Sequence, residues 1–186
     1  MAQLNISDKP VSNIPALPAG TYPGVISAIW DVGIQINDYD KANIKHVHQV
    51  LVRVEVGKVI EVEGDFKGKR YAPIAWVTVP KSYSDLSNLV KLANAANGRT
   101  MTANEFSAFD TDTLIGKNIV VSVGHTTGGK AKITGYSAAM EGMPVLVPEL
   151  TPEVPEWVQK VASEAVNANA PVQQNAPPAP ESDLPF

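Results

Sequence analysis

The chain has no cysteine and only three histidines among its 186 residues. The first absence excludes a disulfide scaffold, thiolate metal sites and cysteine-nucleophile chemistry. The second argues against a metal cage built from imidazoles. No stretch approaches the roughly 20 apolar residues that span a bilayer. The opening MAQLNISDKP has neither the basic start nor the apolar run of a signal peptide. The expectation is a cytoplasmic protein with no metal, no cofactor and no membrane partner. The length suits one domain with an appendage and is enough to bury a real core.

What is present is unevenly distributed. The formal charge is −4, from 15 Lys+Arg and 19 Asp+Glu. Glu149, Glu153, Glu156, Glu164, Glu181 and Asp183 face a single base, Lys160, after residue 148, a balance of −5. The first 148 residues hold 13 acids and 14 bases, a balance of +1. Eight of the 15 prolines lie at or beyond Pro148, and the ending NANAPVQQNAPPAPESDLPF is too polar to offset the entropy of ordering. The composition thus predicts a near-neutral body and, over 148–186, a disordered, flexible acidic tail. Within the tail, Trp157, Val158, Val161, Ala162 and Ala165 follow helical spacing behind Pro155, predicting a short amphipathic helix over 155–168. That helix either docks on the body or forms only with a partner.

The body reads as mainly β. Residues 21–32 and 46–56 are β-branched, and Val50, Val52, Val54 and Val56 alternate with Gln49, Arg53 and Glu55. A third run, 71–79, stops at Pro80. The period then changes: Leu86, Leu89, Val90, Ala93 and Ala96 fit one helix face, with Ser84 as N-cap and Gly98 as stop. Thr102 and Glu105 fit a capping box. Strands follow at 117–124 and 130–138. Five strands with a helix between the third and fourth is the layout of an OB-fold barrel, whose ligand face is strands 2–3 with the loops joining strands 1–2 and 4–5.

Residue types that hold single-stranded nucleic acid, cations for phosphates and aromatic faces for bases, fall at those elements. The hairpin between strands 2 and 3 carries Phe66, Lys67, Lys69, Arg70 and Tyr71. Arg53 and Trp76 extend this surface from the strands, Trp76 suiting a core position equally well and Trp30 suiting the core. The strand 1–2 loop offers Tyr39, Lys41 and Lys45, and the strand 4–5 loop is followed by Lys130 and Lys132. Lys81 and Tyr83 pair near the helix start. A rival is the run Gly124 to Lys130, which matches a phosphate-binding G-x-x-x-x-G-K. Ala131 lacks the hydroxyl that motif requires next, and a strand follows where a helix is needed, so a hairpin turn fits better. His46 and His48 share a strand face without a third ligand, and no nucleophile–base–orienter arrangement is apparent, so no enzyme is expected.

The chain ends Asp183-Leu184-Pro185-Phe186, where ring and α-carboxylate on one residue make a hook for a partner's apolar pocket and basic side chain. This ending resembles the acidic, Pro-Phe-terminated tip of bacterial and phage single-stranded DNA-binding proteins. LPAGTYPGVISAIWDVG, the segment from Lys81 to Arg99, FDTDTLIGKNIVVSVGH and ITGYSA resemble a family of phage OB-fold single-stranded DNA-binding proteins. The resemblance implies that the protein coats and protects single strands in phage DNA replication or recombination, in the host cytoplasm, while the tip recruits replication proteins. The tip departs from the bacterial pattern in carrying one Asp where several are usual. The expected organisation is an arm over 1–16, an OB-fold DNA-binding domain over 17–147, and the tail with its partner-binding tip over 148–186. Self-association on DNA remains open, and a protein-binding OB module or virion component is the alternative.

Overall fold

The computed structural model describes residues 14–37 and 41–165. Five strands form one antiparallel sheet: β1 (Gly20–Asn37), β2 (Lys45–Val56), β3 (Ile74–Thr78), β4 (Asn118–His125) and β5 (Ala131–Ala138). Between β3 and β4 lie α1 (Asn88–Asn97), α2 (Ala103–Ser107) and a 3-10 turn at Thr111–Leu114. A third helix, α3 (Glu156–Ser163), follows the sheet. The order across the sheet is β3-β2-β1-β4-β5. The sheet is open, with β3 and β5 as its two edges, so a closed barrel is not what the ladder shows.

β1 sets the shape. Its first residues, Gly20–Val25, pair with β4, and Gly24–Asn37 pair with β2, so one long strand belongs to both halves of the sheet. Register shifts occur between Ile26 and Ala28 and between Asp31 and Ile34. Bulges of this kind bend and twist a strand. The second contains Gly33 at φ +70, a conformation that favours glycine. Its N–H donates to Asp31 Oδ1 at 2.8 Å.

The first bulge also changes which side chains face which way. Ile26 and Ile29 join Val50, Val52, Val54, Val56, Val77, Leu92, Ile119 and Val121 in the main core, closed by α1. Ala28, Trp30 and Val32 join Leu51 on the opposite face, where Val158 of α3 covers them. The two central strands are therefore buried on both faces. Trp30, 5% exposed, is core; Trp76, 48% exposed, is not.

This double burial corrects the expected boundary at 148. Residues 146–165 are a strap and helix laid on the outer face of β1 and β2. Asn118 exchanges two hydrogen bonds with the Leu146 backbone, at 3.0 and 2.7 Å. Glu55 accepts from the N–H groups of Glu149 and Leu150 at 2.8 and 3.0 Å, and Trp30 Nε1 donates to the Pro152 carbonyl at 3.2 Å. Val158 is almost wholly buried, a burial that contributes about 1.5–3 kcal/mol. Residues 148–165 are thus part of the body rather than a flexible tail, because an apolar helix face and a line of backbone groups find partners there. The docked form of the amphipathic helix is the one observed, over Glu156–Ser163.

The central helix begins one turn later than expected. Ser84 accepts from Ser87 N–H through its carbonyl and from Leu86 N–H through its hydroxyl, closing a turn before the helix. Leu86 is left 82% exposed instead of on a packed face. Gly98 ends α1 in the left-handed conformation, and the Thr102–Glu105 capping box opens α2. Among the described residues no helix is long and apolar enough to cross a membrane.

Candidate nucleic-acid interface

The two unpaired sheet edges face each other across a groove of about 420 Å³. Ile74 and Trp76 of β3 line one side, and Lys130, Lys132 and Tyr136 of the β4–β5 hairpin and β5 line the other. Val77 points into the core, so Trp76, one residue earlier on a strand of period two, points out. Neither lysine has an ion-pair partner among the described residues. Burial pushes the Tyr136 hydroxyl up to about 12, so this side chain is a neutral ring at the groove floor.

The β4–β5 turn explains how the lysines are held. Thr126 N–H donates to the Lys130 carbonyl at 2.9 Å, and Gly129 N–H donates to the Thr126 carbonyl at 2.9 Å. Gly129 sits at φ +76, and Lys130 N–H reaches Thr126 Oγ1 at 3.2 Å. The run Gly124 to Lys130 is thus a hairpin turn leading into a strand, as expected, with no helix N-terminus to receive a phosphate.

The basic hairpin between β2 and β3 is less available than its composition suggests. Lys67 is ion-paired with Glu63, and Lys69 lies over the Phe66 ring at 5.1 Å. Arg70 binds Glu149 at 3.0 Å and the Val147 carbonyl at 2.9 Å, so it anchors the strap. Tyr71 packs against the main core. Phe66, Lys67 and Lys69 remain exposed at the tip.

Arg53 is the clearest correction. It is 9% exposed and sits under the strap. Nε donates to Ser27 Oγ at 2.8 Å, and Nη2 donates to the carbonyls of Thr151 at 2.6 Å and Leu150 at 3.4 Å. Its guanidinium also covers the Trp30 ring at 5.2 Å. Desolvation lowers its pKa and the neighbouring Glu55 opposes that shift. Nε and Nη2 donate to groups of the protein itself and the side chain is buried, so Arg53 is withdrawn from the candidate interface.

Lys41 and Lys45 are exposed at the β1–β2 connection; Tyr39 lies outside the described residues, as does the Asp183–Phe186 tip. Lys81 is exposed after β3. Tyr83 is partly buried, with its hydroxyl 2.6 Å from Asp85 and 2.9 Å from the Met101 carbonyl. The hydrogen bond to Asp85, then burial, raises its pKa. Lys81 and Tyr83 border a second cleft of about 430 Å³, beneath the loop that leaves β3. Its wall includes Phe106 and Phe109, which the sequence reading did not select. The signal was there: they stand three residues apart directly after a capping box, so one helical turn brings them to one face. His48, first weighed beside His46, instead pairs with Asp31 at 2.8 Å on the rim of this cleft.

No protein-family model matches this chain, and no curated protein matches it.

Proposed function

We propose that this protein binds single-stranded DNA through the groove between β3 and β5, without catalysis. The observation that carries the reading is Trp76, a large aromatic ring left half exposed beside two unpaired lysines on the facing hairpin. Cations hold phosphates and an aromatic face stacks any base, which is sequence-tolerant strand recognition. The strand order supports an OB-type architecture. In that fold β1 is shared between two half-sheets, and the barrel closes between the strands that are edges in this sheet. We further propose, from the resemblance of the sequence, a role in phage replication or recombination, with Asp183, Leu184, Pro185 and Phe186 recruiting replication proteins.

The test is a fluorescence titration with oligo-dT, single- and double-stranded, at two salt concentrations. Nanomolar to micromolar binding of the single strand, weakening steeply with salt, is expected. Absence of single-strand binding at low salt would sink the reading. The second reading, a protein-binding module, is favoured by the exposed Leu150, Val154 and Trp157 on the strap; it gains if that titration is flat.

A further inference from the structure

We infer that the cleft below the β3–α1 loop takes one nucleotide, its base against the aromatic wall and its phosphate at Lys81. The inference rests on the strand-binding reading and adds a second, more selective subsite to it. The wall is made of π faces. Phe106 and Phe109 lie nearly parallel, 13° apart with centroids separated by 6.1 Å, and Tyr83 meets Phe106 edge-on at 6.0 Å and 72°. Val50, Val79 and Leu89 complete an apolar floor. The volume, about 430 Å³, falls within the range of about 300–1,000 Å³ typical of small-ligand pockets.

The rim is polar in the way a base edge requires. Ser82, Ser107 and Thr111 bring hydroxyls, and the Asp31–His48 pair adds a carboxylate and an imidazole. Lys81 is the one cation lining the cleft and has no ion-pair partner among the described residues. An aromatic wall, hydrogen-bonding groups at its margin and one free cation match a base carrying a phosphate. They match an aliphatic or acidic side chain poorly.

Position ties the cleft to a strand. Residues 79–83 continue directly from β3, and Leu89 lines the cleft while its neighbour Asn88 lines the β3–β5 groove. Lys81 lies five positions after Trp76, so the two sites are at most about 18 Å apart along the chain. A strand stacked on Trp76 therefore reaches the cleft within a few nucleotides. The same chemistry is offered by a free nucleotide, and the experiment separates the two sources.

Oligo-dT carrying one 5-iododeoxyuridine, placed at each position in turn, is irradiated on the full-length protein and the adduct mapped by mass spectrometry. Crosslinks to Tyr83, Phe106 or Phe109 are expected from one position. Ser107→Trp, at an exposed site on the cleft wall, should remove those crosslinks and weaken strand binding about tenfold, the scale of one lost stacking contact. Crosslinks at Trp76 should persist. Lys81→Ala provides a second variant that adds no bulk and should weaken binding to the same strand. A strand lacking the base at the mapped position should bind wild type and Ser107→Trp equally. Normal strand affinity in both variants, with adducts only at the groove, would overturn the inference while leaving strand binding intact. If no single strand binds, the strand-binding reading fails, and titration with dTMP decides this site. Shifts of the Tyr83 and Phe106 ring resonances would keep a nucleotide ligand with a free source, and none would end it.

Discussion

The outer face of the sheet has a covered half and an open half, built from similar residue types. Under the strap, Trp30, Arg53 and Glu55 supply an aromatic ring, a cation and an anion. At the open margin, Trp76, Lys130 and Lys132 supply a ring and two cations. The difference is in their partners. Pro148 and Pro152 lack N–H groups, so the strap backbone is rich in acceptors, and the donors of Arg53 and Trp30 meet the carbonyls of Leu150, Thr151 and Pro152. Its two consecutive N–H groups at Glu149 and Leu150 meet Glu55. The covered half is a closed set of hydrogen bonds; the open half has groups left over. A surface made of ligand-binding residue types becomes a candidate site only where those residues lack partners.

The hardest way to break this comparison is to remove Glu55. Glu55→Ala removes the buried acceptor of two strap N–H groups and takes away the anion beside Arg53. Unfolding in urea should show a loss of about 3 kcal/mol, the scale for breaking a buried charged hydrogen-bonded set. Single-strand affinity should fall only as far as the folded fraction does. A melt matching wild type would mean that the strap is not held by this carboxylate.

Trp76→Ala probes the open half and should do the reverse. Losing one stacking face should weaken oligo-dT binding by about 1–3 kcal/mol. A surface position without partners should change stability by no more than about 0.5 kcal/mol. If the substitution lowered the urea midpoint and spared binding, Trp76 would be a packing residue and the two halves would not differ in kind.

The parts that were legible in the sequence were those with local causes. The valine alternation of β2 announces one buried face, and the capping box and Gly98 announce helix ends, because each signal and its partner lie within a few residues. The second buried face was not legible. Arg53 and Glu55 look solvent-facing beside those valines, and the backbone groups that bury them arrive about a hundred residues later. The same distance hid the docking of Val158: the proline-rich, acidic average of the last 38 residues masks a segment whose apolar positions match a site on β1. Trp76 was ambiguous because a five-residue strand carries too little alternation to fix its phase, and the bulge after Ile26 shifts the phase of β1 itself.

The smallest effect tests how the open side keeps its shape. α2 packs Phe106 against the main core and is held at its start by exposed polar contacts. Arg99, then the backbone and hydroxyl of Thr102, hold the Glu105 carboxyl down at about 2, with guanidinium distances of 2.8 and 3.1 Å. A carboxyl whose pKa is lower folded than unfolded stabilises the fold fully above the ordinary carboxylate range, and that contribution fades as pH falls toward about 2. Glu105→Gln keeps an acceptor for the cap and loses only the charge. Its melting temperature should therefore lie slightly below wild type at pH 7 and converge with it as pH falls from about 4.5 toward 2. A gap that stays constant over that window would assign the contact to shape alone.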